Sequence, residues 1–269
     1  MTHHSFLIKI STGLFFLMGC LTSCVSYLPP SSMHVDMVPT RHAILNDSLN
    51  SEMETIDIQG YMYQGFYHHK RDPEIEDNLG LGANLGYSLA EKNYSVAFNA
   101  GFLSGKMIDN DGNRYQYSNL ILRSSISLDQ HDGDWHYQVL KIQVAASQGF
   151  GGYQRYLASG TAQRDRYNRA IAPGDWYYSL GIGSAMYHFN QKGHRSSLFF
   201  GFSRGTDFDS HGFRSDMFNL QMEHMRKCGI GLQLGGMLNA RFPPGAETLY
   251  LGLSYDLWSR QKSSSLALP

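Results

Sequence analysis

A period of two in hydrophobicity constrains this chain more than any other feature of its sequence. The stretch TLYLGLSYDLW, Thr248 to Trp258, has leucine or tyrosine at every second position from Leu249 to Leu257. Successive side chains of a β-strand point to opposite faces, so this stretch predicts a strand with one apolar and one wetter face. The same alternation occurs in LGLGANLGYSL (79–89), YSVAFNAGF (94–102), SLFFGFSRG (197–205), MFNLQMEHM (217–225) and GIGLQLGGML (229–238).

The number and length of these segments predict a barrel. Weaker alternation near 54–67, 114–128, 134–147 and 176–190 brings the count to about ten strands of roughly 10–14 residues, with a change of phase in 134–147 that predicts a β-bulge. Soluble strands are typically about five or six residues long, whereas a tilted transmembrane strand needs about 9–11. The sequence therefore predicts an all-β, antiparallel, up-and-down transmembrane β-barrel over residues 54–258.

The connections between the predicted strands alternate in length. Those at 91–93, 129–134, 190–195 and 226–229 are tight, whereas those at 68–78, 105–113, 148–175, 207–213 and 241–247 are mostly longer. Short periplasmic turns alternating with longer outer loops are the rule for outer-membrane barrels. The tight turns are therefore predicted to lie on the periplasmic side.

The composition of the wetter face indicates which face meets lipid. That face carries mainly Gly, Ser, Asn and Gln, and only 17% of all residues are charged, whereas about a quarter is usual in soluble domains. Small and amide residues suit a crowded barrel interior, so we expect the apolar face to contact acyl chains. An alternative stays open, a soluble lipocalin-like periplasmic lipoprotein with the apolar face around an apolar ligand. The aromatic residues expected at the membrane boundaries are Tyr115, Tyr117, Trp135, Tyr137, Trp176, Tyr177, Tyr178, Tyr255 and Trp258.

The N-terminus reads as a lipoprotein export signal. A weakly basic start precedes a short apolar run and then LTSC, which resembles the bacterial lipobox. This predicts a signal peptide over 1–23 and lipidation of Cys24, with Cys20 as the second choice. Residues 24–53 are rich in proline without periodicity and predict a flexible tether, and 259–269 a C-terminal tail. We expect the lipid to hold the N-terminus on the periplasmic side of the outer membrane.

The sequence CVSYLPP at the predicted lipidated cysteine, followed by glycine-alternating strands, resembles Bacteroidota-type outer-membrane lipoproteins with a β-barrel body. The resemblance implies an acylated anchor, palmitate among its chains, and a protein of the cell envelope without an assigned activity. One departure is that Trp258, the aromatic that would close the last strand, is followed by eleven more residues, SRQKSSSLALP. The outer-membrane assembly machinery is an expected partner, but the strand departs from the usual pattern in which the closing aromatic is the last residue.

Two outer loops carry candidate site residues. In 148–175, tyrosines are interleaved with Arg155, Arg164, Arg166 and Arg169, and arginine pairs with phosphate and carboxylate groups, which lipopolysaccharide offers. A solvated loop with ordinary surface charge is the alternative.

The loop after 207 holds Asp207, Asp209 and His211. These are weak candidates for a hydrolase site at the extracellular rim, omptin-like or lipid A-modifying, because their spacing is not diagnostic. DNDGNR at 109–114 predicts a hairpin turn. No cofactor or metal site is predicted.

Charged residues on the wetter face predict a lumen network of Asp57, Arg123, Lys141, Glu223 and Asp256, because buried charges need partners. About ten strands is slightly more than the eight whose lumen side chains fill, so we expect a plugged or very narrow lumen. The expected function is a non-catalytic barrel lipoprotein, structural or surface-binding through the long loop. Its expected partners are outer-membrane lipids, lipopolysaccharide and the assembly machinery. A net charge of -1 gives no indication of a nucleic-acid partner, and the oligomeric state is left open.

Overall fold

Ten antiparallel strands form a closed barrel in the computed structural model. The structure describes residues 39–45, 50–66, 75–109, 112–153, 155, 176–207, 215–239 and 247–263. The strands are β1 (Asn50–Phe66), β2 (Ile75–Glu91), β3 (Tyr94–Asp109), β4 (Arg114–Asp132), β5 (Trp135–Gly151), β6 (Trp176–Phe189), β7 (Arg195–Asp207), β8 (Ser215–Met225), β9 (Ile230–Asn239) and β10 (Glu247–Ser263). Each pairs with its neighbours in sequence, and β1 pairs with β10. The predicted up-and-down barrel of about ten strands is confirmed.

The apolar face of the strands points outward. On β10, Leu251 is 46% and Leu253 61% exposed, whereas Tyr250 and Ser254 are both 2% exposed. Leucines of β2, β4 and β9 are exposed in the same way, and the small and polar residues between them are buried. The lipocalin-like alternative is therefore wrong, because it requires the apolar face to line the interior.

The predicted change of phase in 134–147 is confirmed at β5. Gln138 is 0% and Lys141 3% exposed, so both face inward although strict alternation would place them on opposite faces. The register between β5 and β6 shifts between these two residues. Such a bulge inserts a residue into one strand and restores the inward phase beyond it.

Tight turns lie at one end of the barrel. Gly133, Gly193 and Gly229 have positive φ angles of 58°, 78° and 82° in the β4–β5, β6–β7 and β8–β9 turns, a conformation that glycine adopts without steric cost. At the other end, the predicted hairpin between β3 and β4 is also formed, with φ of 79° at Gly112. Among the described residues, no helix is long and apolar enough to cross a membrane.

Two predicted boundaries are wrong. Strand β1 begins at Asn50 and β10 continues to Ser263, and these two residues are paired. The pairing thus takes in the end of the predicted tether over 24–53 and the start of the predicted tail over 259–269. Alternation does not mark these ends because the sequences there, NSEME and SRQKS, are polar at most positions.

Two tyrosines predicted for the membrane boundary face the lumen instead. Tyr117 is 1% and Tyr177 0% exposed. Tyr117 lies directly across from Gly105, and a Cβ added to Gly105 would overlap its ring. A large ring therefore turns inward where a neighbouring strand offers the space of a missing side chain. The same arrangement joins Tyr63 to Gly80, Tyr61 to Gly82 and Tyr250 to Gly235.

Other predicted boundary aromatics do lie on the outer surface. At the tight-turn end Trp135 is 41% and Trp258 42% exposed, and at the opposite end Trp176 is 42% and Tyr178 39% exposed. The rings of Trp176 and Tyr178 stack with centroids 6.3 Å apart. These residues mark two aromatic zones separated by the leucine-rich wall, as expected for a barrel in a bilayer.

Candidate functional site: the occupied lumen

Residues 39–45 lie inside the barrel, and we call them the inner segment. Thr40, His42 and Ile44 are 3%, 4% and 1% exposed. The prediction of a flexible tether over 24–53 is therefore wrong for this part of it. The segment has no internal hydrogen-bonding pattern of its own, and side chains of the barrel wall supply its described polar contacts.

Arg41 holds the inner segment to one side of the wall. Its Nη1 lies 3.3 Å from Asp57 Oδ2 and 2.9 Å from Asp256 Oδ1, and its Nε lies 3.2 Å from Glu223 Oε1. The three carboxylates come from β1, β10 and β8. A planar guanidinium presents several donors at fixed angles, so one arginine can serve three carboxylates that converge. Arg41 is thus the centre of a charge cluster, which we call the Arg41 cluster.

Thr40 contacts the opposite side of the wall. Its backbone N–H donates to Gln143 Oε1 at 3.1 Å, and its hydroxyl shares a hydrogen bond with Ser125. Its backbone carbonyl accepts a hydrogen bond from the Lys141 ammonium group. Backbone and side chain of Thr40 are therefore both satisfied by β4 and β5.

His42 bridges two serine hydroxyls. Its Nδ1 lies 2.8 Å from Ser95 Oγ and its Nε2 2.7 Å from Ser125 Oγ. The chain of hydrogen bonds continues from Ser95 Oγ to Ser127 Oγ at 2.6 Å. Both ring nitrogens are occupied and the ring is buried, so the imidazole fits a shaped polar recess between β3 and β4.

Apolar residues complete the contacts and show the direction of the inner segment. Leu45 packs with Ala90 near the end of β2, and Ile44 packs with Ala185 and Tyr187 of β6. Pro39 borders a small cavity lined by residues 181–183 of the same strand. Since β6 runs toward the tight-turn end, the inner segment runs from the middle of the lumen toward that end.

The contacts surround the inner segment. They come from the lumen faces of β1, β2, β3, β4, β5, β6, β8 and β10, as the preceding distances and packing show, and Phe199 of β7 packs on the cluster around Ile44. At this level the lumen is therefore filled by the chain itself. Among the described residues the arrangement assembles no nucleophile with a base and an orienting acid.

All five residues predicted for the lumen network face inward, but their partners differ from the prediction. Arg123 Nη1 donates to Asn84 Oδ1 at 3.2 Å and to Asn99 Oδ1 at 2.9 Å. Lys141 contacts the inner segment and lies 5.3 Å from the centre of the Phe199 ring. The acids Asp57, Glu223 and Asp256 converge on Arg41, which lies within the predicted tether over 24–53.

The predicted loop sites fall mostly outside the described residues. This applies to Arg164, Arg166, Arg169, Asp209 and His211, and also to Cys20 and Cys24. Arg155 is exposed beyond the end of β5. Asp207 is the last residue of β7, and its side chain is not among the described parts of the structure. Within the described ranges, no group of three or more His, Cys, Asp or Glu side chains could hold a metal ion.

The polarity of the wall decides the environment of the barrel. A spanning structure must satisfy its backbone internally, which leaves helices and closed barrels, and this closed barrel has an apolar exterior, a polar interior and two aromatic zones. Barrels of this kind occupy outer membranes. The chain is an outer-membrane β-barrel protein.

Comparisons with known proteins add no family. No family model matches the chain, and no curated protein matches it. Among solved structures, the β domain of the Bordetella autotransporter Brka is 11% identical, with a TM-score of 0.42, over 75% of this chain and 98% of that one. An outer-membrane channel from Pseudomonas putida F1 is 8% identical, with a TM-score of 0.41, over 82% of this chain and 100% of that one. Both likenesses are too distant to inform the function of this chain.

Proposed function

We propose that this protein is a lipid-anchored outer-membrane barrel with a closed lumen, which acts through its surface and neither conducts solutes nor catalyses a reaction. The observation that carries the proposal is the Arg41 cluster, which fixes the inner segment across the lumen. The hydrolase alternative depends on Asp207, Asp209 and His211, and nothing in the described structure favours it.

The closed state is favoured by the cost of exposing its charges. Asp57 and Glu223 side chains are 2% and 4% exposed, so withdrawal of Arg41 would leave two buried carboxylates short of their shared cation. Removing one partner of a buried ion pair typically costs about 3–5 kcal/mol. The inner segment is therefore a stable part of the resting protein.

The surface activity is assigned to the connection between β5 and β6, which spans residues 152–175. Arg155 is exposed there, and Tyr153 is buried with its ring 6.4 Å from that of Tyr115, which ties the start of the connection to the barrel. Phosphate groups of lipopolysaccharide fit the arginine-rich sequence that follows. Replacing Arg155, Arg164, Arg166 and Arg169 together by alanine should weaken lipopolysaccharide binding to the purified barrel. Unchanged binding would contradict this role.

The closed lumen is tested by conductance in planar bilayers. The complete protein should give no current steps, whereas a variant lacking residues 39–45 should conduct if it folds, which heat-modifiable migration on unboiled gels reports. Regular current steps from the complete protein would overturn the proposal.

The lipid anchor is tested separately by metabolic labelling with a palmitate analogue. Cys24→Ala should abolish the label and Cys20→Ala should retain it. Cys24 lies fifteen residues before Pro39, and an extended chain spans at most about 3.3–3.6 Å per residue, or about 50 Å in all. That length reaches either face of the membrane, so an epitope inserted at residue 30 and probed on intact and permeabilised cells assigns the side of the anchor.

A further inference from the structure

A row of polar side chains crosses the outer wall at the tight-turn end. The row consists of successive cross-strand partners on β6, β7 and β8, namely His188, Ser196 and His224. Trp135 of β5 and Leu232 of β9 are the next partners at its two ends. Ser196 Oγ lies 3.0 Å from His224 Nδ1, and the Trp135 and His188 rings are 4.6 Å apart. Elsewhere this wall presents mainly leucine, so hydrogen-bonding groups here stand at the boundary between the apolar band and water.

Basic residues lie directly beyond this row. The β6–β7 turn carries Lys192 and His194, and the β8–β9 turn carries Arg226 and Lys227. The two turns touch, since the aliphatic part of Lys227 lies against Gly193.

The ring centroids of His194 and His224 are 5.8 Å apart, and the ring planes are inclined by 30°. By contrast, the other two tight turns carry the acids Glu91, Asp132 and Asp134 together with Lys92. Positive charge is therefore concentrated on the β6–β9 side of the rim.

An apolar groove rises from the same row toward the middle of the membrane. It has a volume of about 460 Å³, and its apolar walls come from Met186, Leu198, Met222, Leu232 and Leu234. The small side chain of Ser196 lies at the end of the groove near the tight turns, between the imidazoles of His188 and His224. The groove thus joins an apolar channel on the wall to a cationic, hydrogen-bonding rim.

We propose that this composite surface is a binding site for one anionic phospholipid of the periplasmic leaflet. The phosphate meets Lys192 and Lys227 and accepts a hydrogen bond from the His224–Ser196 pair, and one acyl chain lies in the groove. The side follows from the tight turns, which outer-membrane barrels place in the periplasm. Charge complementarity selects the lipid, because clustered lysines attract anionic headgroups at a membrane surface. A second copy of this chain carries the same basic rim and would be repelled there.

Native mass spectrometry of the complete protein in a neutral detergent tests the site. Short-chain phosphatidylglycerol and phosphatidylcholine with identical acyl chains are titrated separately, so that only the headgroup differs. We expect phosphatidylglycerol to be retained at about thirtyfold lower concentration, from the contribution of two lysines near an anionic group. The double variant Lys192→Ala/Lys227→Ala should bind both lipids equally.

Two controls separate the site from general attraction. Lys92→Ala/Arg260→Ala removes two basic residues of the same rim that lie outside the β6–β9 side and should keep the roughly thirtyfold preference. Ser196→Phe fills the groove at an exposed position and should weaken retention of both lipids. Equal retention of the two lipids by the parent protein, loss of the preference in the control variant, or dimers in place of lipid adducts would each overturn the proposal.

Discussion

Arg41→Ala tests the Arg41 cluster most directly. Without the guanidinium, Asp57 loses the cation 3.3 Å away, whereas Glu223 keeps Arg195 at 3.5 Å and Asp256 is 21% exposed and screened by water. Asp57 is therefore the main uncompensated group. We take the lower end of the range for a broken buried pair, about 3 kcal/mol. At about 1.4 kcal/mol per factor of ten, this shifts the equilibrium for release of the inner segment about a hundredfold.

Cysteine labelling measures that release. A reporter is placed at Ser88, which faces the lumen and is 1% exposed, in a Cys228→Ser background because Cys228 is an exposed free thiol. A small maleimide should modify the reporter about a hundredfold faster in Arg41→Ala than in the parent protein. Arg123→Ala is the matched control, since that arginine also lies in the lumen and donates to the wall residues Asn84 and Asn99.

A second control restores charge balance. Combining Arg41→Met with Asp57→Asn removes the charge that Arg41→Ala leaves without its cation and keeps Glu223 paired with Arg195, so labelling should return most of the way to the parent rate. A rate in Arg41→Ala within twofold of the parent, with the barrel still heat-modifiable, would refute the idea that these charges hold the inner segment.

Three further predictions concern the wall. Gly82→Ala places a methyl group in the ring of Tyr61 and should destabilise the barrel by about 1–3 kcal/mol in urea unfolding; Gly60→Ala, with nothing within 4 Å, should not. Leu253→Arg puts a charge on the lipid face and should cost about 2–4 kcal/mol in folding into bilayers, and a cost below about 1 kcal/mol would argue against a membrane position. An impermeant maleimide should reach Cys228 only after the outer membrane is opened; labelling on intact cells would reverse the assigned sides.

The strands were predictable because one physical constraint acts along each of them. Every wall residue faces either hydrocarbon or the lumen, so the period of two persists over ten or more residues and even the bulge in β5 leaves a visible change of phase. The constraint ends at the rims, where both faces meet water. That is why the predicted ends at 54 and 258 are short of the paired residues Asn50 and Ser263.

The inner segment was not predictable from periodicity, because it is neither strand nor helix and each of its residues has a different neighbour. One signal for it is present in the sequence. The predicted lumen charges comprise three acids, Asp57, Glu223 and Asp256, and only two bases, Arg123 and Lys141. Since buried charges need partners, the imbalance predicts a further cation in the lumen, and the structure supplies two, Arg195 of β7 and Arg41 of the inner segment.

The width of the barrel explains why an inner segment is present at all. Wall side chains alone fill a lumen of about eight strands, and this barrel has ten. Toward the long-loop end, large rings such as Tyr63 and Tyr117 reach across and cover neighbouring glycines. Toward the tight-turn end, several inward residues are small, Ser95, Ser125 and Ser127 among them, and they leave the width of one extended chain. Replacing those serines by larger residues should therefore expel the inner segment even with Arg41 intact. If charge alone held the segment in the lumen, the larger side chains would leave it in place.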